Sequence, residues 1–172
     1  AIWLTWESLY PLWQQTLASG KPPSADTTAR LLIPLLQTAV GAGMVTQATA
    51  LLREAGTPQF RDEPQRARWL SLRGELAVAQ GDLAGALRSF SESKAIAERL
   101  AASDPANAPN AQRQRDLSVS HIKLGDLAAA QGDQAGALRS FTEAKAILEH
   151  LIVTDPANAA WQRDWAVSHF KL

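Results

Sequence analysis

Apolar residues recur at helical intervals along most of the chain, and short polar breaks rich in Gly, Asp and Pro separate the runs. From Leu83 to Ala102 the stripe is Leu87, Phe90, Ile96 and Leu100. From Gln134 to Val153 it is Leu138, Phe141, Ile147 and Leu151. Each spacing predicts a helix with that stripe turned inward. The break before each is AQGD, at Ala79–Asp82 and Ala130–Asp133. Its Gly suits the residue after a helix, and its Asp suits the cap of the next. The segments SDPAN and TDPAN end the two runs. Asp before Pro is disfavoured in the helical region, and Pro can then open the next element.

The two stripes belong to one repeated text. With an offset of 51 residues, Gly74–Ala108 matches Gly125–Ala159 at 25 of 35 positions. That is the signature of a repeat array, in which one unit cannot bury its apolar face without the next. A third copy opens with an offset of 48: RDLSVSHIKL at Arg115–Leu124 returns as RDWAVSHFKL at Arg163–Leu172. The difference of three residues lies in the connector. The chain stops one residue before the next counterpart of Gly125, begins at Ala1 and has Met44 as its single methionine. It is therefore expected to be a piece of a longer protein.

The pattern resembles the tetratricopeptide repeat. That family places a small residue in its first helix, then Ala, an aromatic and a small residue in its second. Here these fall on Gly74, Ala86, Phe90 and Ser93, and again on Gly125, Ala137, Phe141 and Ala144, with Leu124 before the glycine. Two departures stand out. The period is 48 to 51 residues rather than the family's 34, and Leu70 and His121 stand where a bulky aromatic is usual. The resemblance covers Gln65–Leu172 and is that of an extended-period bacterial variant. It implies an all-α fold, a right-handed α-solenoid of antiparallel helix pairs.

The expected organisation has five parts. Residues 1–20 form a Trp-rich capping helix and 21–63 a degenerate helical repeat. Residues 64–109 and 110–158 are full repeats, and 159–172 are the first helix of a further, truncated one. In the degenerate repeat Gly43 aligns with Gly81, Ala48 with Ala86 and Leu52 with Phe90. Its first helix is predicted over Asp26–Val40 with a kink at Pro34. Gly56–Pro64 and Lys21–Asp26 read as loops, the latter offering Ser24 or Asp26 as a cap. The opening helix carries Trp3, Trp6, Tyr10, Trp13 and Leu17 on one face, and Pro11 is expected to bend or split it. A membrane-interface role for those tryptophans is disfavoured, because the helix has no Lys/Arg-rich polar face.

Lys plus Arg and Asp plus Glu both number 17, so no net charge draws the chain to nucleic acid or an anionic membrane. Cysteine is absent, which removes disulfides, thiolate metal sites and cysteine nucleophiles and fits a cytoplasmic setting. No phosphate-loop, dinucleotide or HExxH pattern occurs. His121 and His169 occupy one repeat position, which suits packing better than catalysis, and no third ligand accompanies them. Arg113, Arg115 and Arg163 are expected to pair locally with Asp116 or Asp164.

The expected function is thus a non-catalytic protein–protein interaction module without cofactor. The resemblance implies a concave surface lined by the first helices. Arg68, Ser71, Glu75 and Val78 line it in one unit and Val119, Ile122, Asp126 and Ala129 in the next. Val167 and Phe170 follow from the third. This lining lacks the Lys and Asn that clamp a C-terminal carboxylate in chaperone-binding members, so a basic or apolar peptide, or a partner helix, fits better. Similar bacterial arrays often accompany enzymatic or signalling domains. The alternative is a structural spacer or homo-oligomerisation surface, built on the open end at Trp161, Trp165 and Phe170.

Overall fold

The computed structural model describes residues 2–103 and 109–172, and all regular structure among them is helical. Helices follow one another as sequential antiparallel neighbours in two compact units, residues 1–82 and 83–172.

The first unit opens with α1 (Ile2–Ala18). Next come α2 (Ala25–Thr27), a π-helical turn (Thr28–Leu32) and α3 (Ile33–Gly41), which run on as one rod. Then follow α4 (Val45–Ala55) and α5 (Glu63–Ala79). Helix α1 packs on α3 and on the π turn, and α3 packs on α4 and α5. Their shared core is Trp13, Leu32, Ile33, Leu35, Leu36, Ala39, Ala48, Leu51, Trp69, Leu72 and Leu76. Trp6, Leu9, Tyr10 and Leu17 pack against it from α1. The aromatic opening helix is thus fastened to protein. The Trp13 ring is fully buried, and its indole N–H donates to Glu54 Oε2 at 2.9 Å. The side chain of Trp3 lies outside the described residues.

The structure refines two proline expectations. Pro11 sits inside α1 without splitting it. Both Pro11 and Glu7, whose carbonyl its ring displaces, are exposed, so water can serve that carbonyl. Pro34 stands in the first turn of α3, directly after the π turn, in which Ile33 N–H reaches back five residues to the Thr28 carbonyl. A proline at 34 cannot donate to the Arg30 carbonyl and its ring crowds it. The wider turn just ahead relieves that conflict, so the irregularity lies before the proline.

In the second unit, α6 (Leu83–Ser103), α7 (Pro109–Ala130), α8 (Gln134–Thr154) and α9 (Ala159–Phe170) follow in order. Helix α7 packs on α6 and α8, α8 packs on α9, and α9 also touches α7. The SDPAN segment falls mostly on residues 104–108, outside the described residues. In TDPAN the next helix is opened by Asn158, not Pro156. The Asn158 side chain accepts from Trp161 N–H, so α9 begins at Ala159, three residues after the proline.

The breaks are built alike three times. At Gly81 and Gly132 the backbone is left-handed, with φ of 78° and 81°. Asp82 N–H reaches the Ala77 carbonyl and Gly81 N–H that of Val78; Asp133 and Gly132 do the same with Ala128 and Ala129. This is the Schellman arrangement, which needs a residue without Cβ strain at that point. Gly43 repeats it, with Met44 and Gly43 bonding Ala39 and Val40. Asp133 then caps α8 by accepting from Gly136 N–H at 2.8 Å.

Of the expected stripes Phe90, Ile96, Phe141 and Leu151 are buried and Leu100 and Ile147 half-buried, whereas Leu87 and Leu138 face solvent. In α8 the buried stripe is Ala137, Phe141, Ala144, Leu148 and Leu151. Leu138 is 54% exposed and its counterpart Leu87 in α6 is 44% exposed. Each follows a fully packed alanine, and one helical step turns it about 100° away. Small residues win the interface because they let helices approach. A Cβ on Gly125 of α7 would lie 2.5–2.9 Å from the Phe141 ring of α8. In α4 Ala48 and Leu51 are fully buried, with Leu52 only half-buried, one step from the expected match to Phe90.

Candidate functional site

The expected lining residues divide between the units. Arg68, Ser71, Glu75 and Val78 stand on α5 in the first. Arg68 is exposed and hydrogen-bonds Gln37 of α3; Ser71 and Glu75 are half-buried and Val78 is exposed. Val119, Ile122, Asp126, Ala129, Val167 and Phe170 belong to α7 and α9 of the second unit.

Helices α7 and α9 are joined by charge. Arg115 Nε donates to Asp164 Oδ2 at 2.8 Å. Nearer their other ends, the Lys171 ammonium pairs with Asp126. The pairing of Arg115 is therefore between copies, 49 residues apart, and not with its neighbour as expected. Asp116 instead accepts from Gln112 at 2.7 Å, and Arg113 reaches the Leu100 carbonyl and Ser103 hydroxyl at 3.4 Å. A helix rotates adjacent residues apart, so Arg115 and Asp116 do not face one another. The recurring Arg-Asp dipeptide was the sequence signal for a link between copies.

Lysines extend the symmetry. Lys123 Nζ lies 5.7 Å from the Phe90 ring centroid, and Lys171 Nζ lies 5.6 Å from that of Phe141. In each case a cation from a first helix covers the repeated aromatic of the preceding second helix. Ile122 is half-buried against Leu148, Leu151 and Trp161, so it helps to hold α8 and α9. Val119 is half-buried. Asp126, Ala129, Val167 and Phe170 are exposed, Phe170 by 90%.

The repeat-related histidines differ. His121 is buried, with Nδ1 2.8 Å from Glu143 Oε2 of α8. Burial and the Lys94 ammonium push its pKa below the usual imidazole value, while Glu143 and Glu98 pull it partly back. His169 is exposed and stacks on Trp165, with ring centroids 5.1 Å apart. Among the described residues no group of three or more His, Asp and Glu could hold a metal ion. No helix among them is long and apolar enough to cross a membrane. No protein-family model matches the chain, and no curated protein matches it.

Proposed function

We propose that this chain is a non-catalytic protein-interaction module, a tetratricopeptide-like right-handed α-solenoid whose first helices offer a surface to a peptide or partner helix. The observation that carries this reading is the pairing of α7 with α9 through repeat-related residues, Arg115 with Asp164 and Asp126 with Lys171. Those pairs hold two first helices side by side as one face. Along that face Ala129, Val167 and Phe170 remain exposed. Since Asp126 is paired, the free character of the face is apolar, which favours an apolar peptide over a basic one. A cytoplasmic setting suits a chain without cysteine.

The test is affinity capture from a lysate of the source cells, comparing the chain with a Val167→Glu/Ala129→Glu variant. Both sites are exposed, so circular dichroism should show an unchanged fold. A protein held by the parent and released by the variant supports the reading. Equal capture, or none, removes it. The second reading, a self-assembly surface, draws on the 90% exposure of Phe170 at the end of α9. Sedimentation equilibrium of the parent and of Phe170→Asp tests it.

A further inference from the structure

One repeat position carries a leucine in one copy and a histidine in the next. Leu70 of α5 and His121 of α7 stand 51 residues apart, and both are buried. Leu70 shows that an apolar side chain can fill this place, so packing alone does not call for an imidazole. What sets His121 apart is the charge around it. Its Nδ1 lies 2.8 Å from Glu143 Oε2 of α8. Lys94 and Glu98 of α6, paired with each other at 3.2 Å, act on the ring from the other neighbouring helix. One turn away on α7 itself stand Leu117, Ser118, Leu124 and Gly125, none of them charged. Helix α9 also touches α7, but its Asp164 and Lys171 pair with Arg115 and Asp126, and its Arg163 and His169 are exposed.

We infer that His121 makes the contact between α6 and α7 an acid-released joint: a proton taken up by its ring loosens α6 from α7 and leaves α7 held on α8. An ionised carboxylate only accepts, so at neutral pH the one proton of the ring sits on Nδ1 and is donated to Glu143. The second proton therefore enters at Nε2 and turns the ring into a buried cation. Toward α8 that cation faces the carboxylate it already bonds, and the hydrogen bond becomes an ion pair. Toward α6 it meets the Lys94 ammonium, whose repulsion outweighs the attraction of Glu98. Burial, the largest influence on the ring, also opposes the charge, and movement of α6 would admit water to it. Separation on the α6 side thus relieves both penalties, whereas separation on the α8 side would lose the Glu143 bond. The release is directional, and it falls above the ordinary titration range of carboxylates.

The inference goes beyond the partner-binding reading, and its test needs no partner. Hydrogen exchange of the whole chain is followed by peptide mass from pH 7.5 to 5.5, each rate divided by its value for unstructured chain. Protection of α6 should fall at least about threefold further than protection of α8. His121→Leu, which takes the residue of the preceding copy, should abolish that difference, and Lys94→Met should reduce it at least about twofold. The ring is followed in parallel by NMR. Its titration midpoint should lie below that of a free imidazole, rise in Lys94→Met and fall in Glu143→Gln. If His121→Leu does not fold, Lys94→Met decides, because its side chain reaches the surface. Equal loss over α6 and α8, or greater loss over α8, overturns the inference. So does a difference that survives in folded His121→Leu, or a midpoint indifferent to Lys94→Met.

Discussion

The two units reach stability by different routes. In residues 1–82 four helical elements send large side chains into one core: Trp13 from α1, Leu35 and Leu36 from α3, Leu51 from α4, Trp69 and Leu76 from α5. In residues 83–172 the buried faces are small and iterated. Ala97 and Ala101 meet Leu117 with Ile147 alongside, and Leu148 and Leu151 meet Trp161. Phe90 and Phe141 are, with Trp161, the aromatic members, and each phenylalanine lies beneath a lysine. The lesson is one of specification. A core without repetition depends on particular shapes from distant parts of the chain. A repeated one depends on a rule used again at each step, and small residues are part of the rule because they set the distance.

The largest expected effects test that contrast. Trp13→Ala and Phe141→Ala should each cost about 3–5 kcal/mol in chemical denaturation. Hydrogen exchange should separate them. Protection should fall in α1, α3 and α4 for the first and in α7 and α8 for the second. Loss over the same helices in both variants would break the contrast.

Gly125→Ala should come next. One methyl group would press on the Phe141 ring, with a cost of about 1–3 kcal/mol. Ala137→Leu, at a buried position of α8, should cost a similar amount by overpacking. Thermal melts unchanged by both would mean that close approach is not the rule of this unit.

The pH response should be smaller and confined to the second unit. His121 packs among Glu143, Lys94 and Glu98, and its folded pKa is held below the unfolded value near 6.5. Between the two values the unfolded chain binds the extra proton. Stability is therefore full at neutral pH and is lost as pH falls through about 6.5 toward the folded value. His121→Gln should flatten that slope in denaturation midpoints taken from pH 7.5 to 5. The smallest effect is expected at Leu138→Gln, within about 0.5 kcal/mol, because that side chain meets solvent. A larger loss would restore Leu138 to the inner stripe.

Much of the local plan was legible in the order of residues alone. AQGD announced its own geometry, since only glycine adopts the left-handed turn at no steric cost and aspartate can cap the next helix. The helix limits at Leu83 and Gln134 came from it. Small-residue positions at Gly125, Ala137 and Ala144 were visible through repetition, because two copies agreeing at one spacing report a shared constraint. Within the candidate surface, the identity of Val119, Asp126 and Val167 was visible, but not that Ile122 serves packing or that Lys171 occupies Asp126.

What the sequence determined by itself is therefore the helices, their breaks and the repeat, all properties of contacts within a few residues. What only the tertiary structure decided is rotation and pairing. Leu87 and Leu138 look as apolar as Phe90 and Phe141, yet one step of rotation puts them in water, and the alanine beside each takes the interface. Arg115 stands next to Asp116 and bonds Asp164. His121 and His169 share a repeat position, and one is buried while the other is open. Such outcomes depend on which neighbouring helix arrives and how closely, and that distance is set by side chains far away in the chain.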